Sequence, residues 1–378
     1  MKLRNCDMIE FAKRVKDKQI ICFGASVMLV DMLKIYDYLD IGKKIKYIID
    51  NNPRLSSEQV EYKDYKFSIA NPEKLVTENI TKTVLVFTSE QFPAMLEQLD
   101  GIEALNDMEA YIYPLMDHFT DIDSPMQTSD TDYKIPKIIH YCWFGNGEMS
   151  EMHKQCINSW KKFCPDYEIL QWNEKNYDVM KSSYMAEAYK RKAWAFVTDY
   201  ARLDIIREYG GIYLDTDVML YKNLDPLRKN TAYCGTIHHG VRVNTGIGFG
   251  AVKGFRMIEE WLDAYRFAHC EGDTGMLNRT LCTKYQTDVL KTHSDFKQNA
   301  KYQVVENMTI YPRDFFDPLS PILGLEKRTE NTYSVHYNGM SWSNKGSDFS
   351  MTNIRSRVKQ KISEYIKRIE RTESRCKA

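Results

Sequence analysis

The sequence has no C-x-x-C pair, no apolar run as long as a membrane span, no internal repeats and no net charge. Each absence removes a class of protein. Nine cysteines scattered from Cys6 to Cys376 without metal-ligand spacing argue against a zinc module or a disulfide framework and suit a reducing compartment. Lys plus Arg and Asp plus Glu both total 52, so no overall field favours a nucleic-acid partner and any charge effect has to be local. The first twenty residues, MKLRNCDMIEFAKRVKDKQI, are charged throughout and lack the apolar core of a secretory signal. A cytoplasmic protein is therefore expected.

What is present is apolar mass and pattern. A chain of 378 residues, 43% of them apolar, is long enough for two domains with their own cores. QIICF (19–23), IKYIID (45–50), TVLVFT (83–88) and AYIYPL (110–115) alternate with helical patterns. They predict a small Rossmann-like α/β domain over residues 1–118. FTDIDSPMQTSDTDY (119–133) is polar and aperiodic, which marks it as a linker. From 134 to 349 a second α/β domain opens on the strand-like KIPKIIHYCWFG, followed by a helix and a further strand in MHKQCINSWKKFCPDYEILQW. One long helix is expected from about Ala186 to Tyr209, ended by Gly210 and Gly211. The final segment, 350–378, is basic, with Val358, Ile362, Tyr365, Ile366 and Ile369 at helical spacing. Such a helix suits either the surface of an anionic membrane or its own domain.

The chemistry is concentrated in EYGGIYLDTDVML, Glu208 to Leu220. In a strand successive side chains point to opposite faces, so Asp215 and Asp217 project together while Thr216 points away, and they repel each other unless a cation lies between. A hard divalent ion, Mn²⁺ or Mg²⁺, takes oxygen ligands and leaves room for substrate phosphates, so the pair suits a nucleotide diphosphate. The preceding TDYARLDIIREYGG places Asp199 and Arg202 three residues apart, on one helical face.

These blocks, with IPKIIHYCWFG and SWKKFCPDYEILQW before them and HYNGMSW after, resemble the sugar-transferring enzymes of glycosyltransferase family 32. The resemblance implies a GT-A domain that transfers a hexose with retention from a nucleotide sugar, UDP being favoured, to a glycan or lipid-linked glycan in bacterial surface polysaccharide. Mn²⁺ or Mg²⁺ is the implied cofactor. By position, Trp143 would stack on the donor base with His140 and Phe144 beside it, and Asp199 and Arg202 would bind the sugar and diphosphate. Asp215 would touch ribose or sugar, Asp217 would bind the metal, and Asn244 would contact the sugar. His336, Asn338, Ser341 and Trp342 are implied to close over the diphosphate and complete the metal shell, and no carboxylate nucleophile stands out.

Two motifs carry less. RVNTGIGFGAVKGF has G-x-G-x-G spacing, which does not open a helix after a strand and so reads as a strand of small residues beside the donor. In the first domain IICFGAS and IKYIIDNNPR place Gly24 and Asp50 as in a dinucleotide fold, yet Ser26 and Leu29 stand where further glycines belong. A degenerate nucleotide-binding or regulatory module follows. Two alternatives remain at this level: a Rossmann-type oxidoreductase or epimerase of nucleotide sugars, and a non-catalytic nucleotide-sugar-binding protein.

Overall fold

The computed structural model describes residues 1–121, 132–237, 241–270, 282–337 and 349–377. The chain divides into two compact units, one of 1–121 with 320–325 and 345–378, the other of 122–319 with 326–344. The basic C-terminal segment is therefore part of the first unit.

The first unit is built on strands β1 (Lys2–Arg4), β2 (Gln19–Phe23), β3 (Ile45–Ile49), β4 (Gln59–Tyr62), β5 (Tyr65–Ala70), β6 (Thr83–Phe87) and β7 (Glu109–Ile112). Their order is β1-β7-β6-β2-β3-β5-β4, parallel except for the β4 edge. Ile20 to Phe23 and Val84 to Phe87 are wholly buried, as central strands covered on both faces must be. The covering helices include α1 (Met8–Arg14), α2 (Val27–Ile35), α3 (Phe92–Leu99) and α4 (Tyr113–Phe119). AYIYPL is thus not all strand: Pro114, which has no N–H to lose in a first turn, starts α4.

The second unit holds β8 (Ile138–Cys142), α5 (Glu151–Phe163), β9 (Glu168–Trp172), α6 (Ser183–Lys190), α7 (Trp194–Tyr209), β10 (Gly211–Tyr213), β11 (Val218–Leu220), β12 (Ala232–Thr236) and β13 (Val243–Ala251). After these come α8 (Arg256–Asp263), α9 (Cys282–Leu290), β14 (Gln303–Val305), β15 (Met308–Tyr311), α10 (Arg313–Phe316) and β16 (Ser334–His336). The large sheet runs β14-β15-β12-β13-β10-β8-β9, with β10, β8 and β9 parallel and β13 antiparallel beside β10. A separate ribbon pairs β11 with β16. The single helix expected over 186–209 is two, because Lys192 takes a φ of 57° between α6 and α7. At the far end Gly210, φ 68°, ends α7, where a Cβ would come within 2.8 Å of the Lys253 amide nitrogen.

The last helix, α11 (Phe349–Lys377), returns to the first unit and lies against β1 and α3. Val358, Ile362, Tyr365 and Ile369 are buried, and the Tyr365 ring lies 5.8 Å from that of Phe92. Its cations meet acids of the same unit: Arg355 pairs with Glu90 at 3.3 Å, Arg357 and Lys361 with Glu97, and Arg368 with Asp100. The apolar face is thus covered within its own unit, which is the second of the two settings that the sequence allowed for it. No helix among the described residues is long and apolar enough to cross a membrane.

Candidate active site

Strand β10 stops at Tyr213, two residues before the first aspartate. Asp215 to Val218 is a turn, closed by the Val218 N–H donating to the Asp215 carbonyl at 3.0 Å. The shared strand face expected for Asp215 and Asp217 is therefore corrected: a tight turn converges them, because the chain must reverse here to enter β11. Strand β11 then fixes the third member. Its Val218 is opposite His336 of β16, and His336 Nε2 lies 3.3 Å from Asp217 Oδ1. Among the described residues, Asp215, Asp217 and His336 each offer one ligand atom within 4.8 Å of the others. The Tyr337 N–H donates to the Asp217 carbonyl at 3.0 Å, which holds the end of the ribbon to the turn.

Arg202 and Asp199 come from one face of α7. Their guanidinium and carboxylate are 2.9 Å apart, and Arg202 also reaches Asp215 Oδ1 at 3.5 Å. Thr198 steadies the guanidinium, its carbonyl accepting from Nε at 3.1 Å and its hydroxyl from Nη2 at 3.2 Å. Arg202 is 3% exposed and Asp199 7%. Burial raises the Asp199 pKa to about 6 against the pull of Arg202, with Asp215 adding to the rise. Burial alone would lower the pKa of Arg202, but Asp215 and Asp199 hold it well above the usual value. Burial likewise opposes charge on His336, yet attraction and a hydrogen bond to Asp217, with Asp317 and Asp215 beyond, raise its pKa to about 9. Three carboxylates thus face one guanidinium and one imidazole, an excess of negative charge that a bound cation would relieve.

The remaining expected residues separate. Trp143 follows β8, half-buried, with its indole N–H on the Gly147 carbonyl at 2.7 Å and its ring edge-on to His153 at 5.0 Å. Asn244 lies on β13 with its side-chain oxygen accepting from the Gly246 N–H at 2.7 Å. His140 is corrected as a donor-binding residue. It is 0% exposed, with Nε2 2.9 Å from the Gly210 carbonyl and Nδ1 3.1 Å from the Trp172 indole nitrogen. Burial lowers its pKa to about 4, and a neutral ring that donates from Nε2 and accepts at Nδ1 satisfies both partners. The Phe144 side chain is corrected too: it is 5% exposed and packs on Tyr177 in the core. Asn338, Ser341 and Trp342 lie outside the described residues.

Three neighbours gave no sequence signal. Burial lowers the pKa of His153 on α5 against the pull of Asp217, but one histidine in an amphipathic helix has nothing to mark it. Tyr213 places its ring 5.2 Å from the Arg202 guanidinium, and Cys282 at the start of α9 hydrogen-bonds Asp199. Asp204 belongs to the conspicuous α7 motif yet serves the fold, binding the Tyr177 hydroxyl at 2.7 Å, Lys181 at 2.9 Å and Arg207 at 2.5 Å.

With this geometry in place, similarity to known proteins can be stated. Residues 150–233 match the family described as "Glycosyltransferase sugar-binding region containing DXD motif". Inositol phosphoceramide mannosyltransferase 3 of Schizosaccharomyces pombe is 36% identical over 115 residues, 26% of this chain and 29% of the relative. Inositol phosphoceramide mannosyltransferase 1 of the same yeast is 28% identical over 134 residues, 33% of this chain and 40% of the relative. The matches thus span well under half the length of either relative. A solved structure titled PaToxG Glycosyltransferase superposes with a TM-score of 0.33 at 17% identity, over 44% of this chain and 71% of that one, too loosely to carry an argument. Asp199, Arg202, Asp215 and Asp217 all lie within residues 150–233, the segment that matches this sugar-binding DXD family.

Proposed function

We propose that the chain is a retaining, metal-dependent glycosyltransferase that moves a hexose from a nucleotide sugar to a hydroxyl of a glycan or lipid-linked glycan. The observation that carries the proposal is the convergence of Asp215, Asp217 and His336 within 4.8 Å, beside the buried Asp199–Arg202 pair. Two carboxylates and an imidazole fit a divalent cation. Carboxylates suit Mg²⁺ and Mn²⁺ alike, whereas imidazole favours the transition ion, so Mn²⁺ is the better fit. Bound there, the ion would supply positive charge beside a departing diphosphate.

The residues do the rest of the work. Arg202, its fork fixed by Thr198, presents a second positive charge that needs no reorganisation when the leaving group gains negative charge. Asp199 keeps that guanidinium from turning away and offers acceptor oxygens to sugar hydroxyls. Trp143, half-buried near the end of β8, has the flat face that a nucleobase stacks on. A cytoplasmic setting remains part of the proposal, whereas the bacterial surface-polysaccharide role draws no support from relatives in a yeast.

The test is a donor screen. Purified chain with Mn²⁺ and a panel of nucleotide sugars, GDP-mannose included because of the relatives' names, is assayed for released nucleoside diphosphate. Turnover of one donor, falling on the order of a hundredfold or more in Asp217→Ala, is expected. No release from any donor, or release unchanged in Asp217→Ala, would remove the proposal, while tight NAD binding would favour the oxidoreductase alternative.

A further inference from the structure

The glycine-rich run of β13 offers the site no side chain beyond Asn244, and its backbone supplies a further role. Cys234 of β12 is opposite Phe249, but the next residue, Gly235, is opposite Asn244, so residues 245–248 loop out of the pairing. Bulges of this kind re-aim backbone groups next to functional sites. Here the Gly246 carbonyl accepts the Asp215 N–H at 2.9 Å, and the Gly246 N–H donates to Asn244 Oδ1 at 2.7 Å. Both polar groups of one peptide residue are thereby fixed, one by the strand below and one by the DXD turn.

Gly246 is not required for its backbone angle, since it is absent from the residues with positive φ. It is required for space. A Cβ there would lie 2.0 Å from Asp215 Oδ2 and 2.8 Å from Arg202 Nη1, so carboxylate and guanidinium both rest on the bare peptide. Gly248, φ 148°, seats the other end of the bulge, where a Cβ would come within 2.9 Å of the Phe316 ring.

We propose that the 245–248 bulge is a positioning element for Asp215, and that Asn244 acts through its side-chain oxygen on Gly246 rather than by contact with a sugar. The inference rests on the glycosyltransferase proposal for what the positioned carboxylate then does. Without the bulge Asp215 loses its backbone anchor and a wall of its site, and Arg202 at 3.5 Å becomes the main force on its carboxylate.

The experiment uses the full chain and three variants, Gly246→Ala, Asn244→Leu and Asn244→Asp. Two quantities are read: Mn²⁺ affinity by calorimetry without any donor, and hydrogen exchange of the peptide containing the Asp215 amide. Gly246→Ala and Asn244→Leu should weaken Mn²⁺ binding about 10- to 100-fold, as loss of residues that orient metal ligands does, and should speed exchange at Asp215. Asn244→Asp keeps the acceptor oxygen and should keep wild-type exchange at Asp215, while its added negative charge should leave Mn²⁺ affinity no weaker than wild type. Equal loss in Asn244→Asp and Asn244→Leu would mean that the amide N–H matters instead, and would overturn the inference. Unchanged Asp215 exchange in all three variants would overturn it as well. A wild-type chain that takes no Mn²⁺ would count against the glycosyltransferase proposal, and the exchange result alone would then decide the role of the bulge.

Discussion

At the scale of single residues, the site depends on which titratable groups are paired and which are sealed. The resemblance named His140 for the donor and His336 for the metal shell, and nothing in their local sequence showed which of them reaches the site. The difference is tertiary: the ring nitrogens of His140 meet a carbonyl and an indole, whereas His336 meets a carboxylate. The consequences for stability follow. The unfolded chain protonates His140 near its ordinary 6.5 and the folded chain only near 4. Its contribution is therefore complete above pH 6.5 and is lost progressively as the pH falls toward 4. Denaturant unfolding of the wild type should lose up to about 3 kcal/mol from this group across that window. His140→Gln, which can still donate and accept, should show a flatter stability profile between those pH values, and an unchanged slope would contradict the burial argument.

At the scale of elements, strands β2, β3 and β6 match their sequence patterns within a residue because each is a short, mostly apolar run with one structure compatible with burial. The failures came where the chain bends. Lys192 interrupts a helical pattern that periodicity reads as continuous, and the DXD pair lies in a turn that local alternation reads as strand. The C-terminal helix was readable as amphipathic, but its covering surface was not. Since Ile362 is 6% exposed within the first unit, Ile362→Ala should lower the unfolding free energy of that unit by about 2–5 kcal/mol. The same substitution should leave binding to anionic vesicles unaltered. Reduced vesicle binding with unaltered stability would reinstate the membrane-facing alternative.

At the scale of the whole molecule, two units with separate cores should unfold in separable steps rather than as one cooperative block. The Asp215, Asp217 and His336 cluster lies wholly in the second unit. Calorimetric scans with Mn²⁺ at about a hundred times its dissociation constant should therefore stabilise one transition by about 2.7 kcal/mol and leave the other in place. Equal shifts of both transitions, or of neither, would contradict a metal site confined to that unit. In the first unit the Gly24 loop is occupied internally, for Asp50 accepts the Ala25 N–H at 2.8 Å and a Cβ on Gly24, φ 114°, would lie 2.9 Å from Ser89 Cβ. Gly24 there serves close packing, which fits a module whose glycine fingerprint is incomplete.

By itself the sequence determined the α/β class, most of the strands, and the pairing of Asp199 with Arg202, since these follow from periodicity and from neighbours three residues apart. The resemblance already implied His336 for the metal shell; the tertiary structure alone sets it 3.3 Å from Asp217, more than a hundred positions away, turns His140 and Phe144 into the core and makes Gly246 the wall of Asp215. Contacts between distant segments are fixed by strand register and by the space that side chains leave, and neither quantity is written in any local stretch of residues.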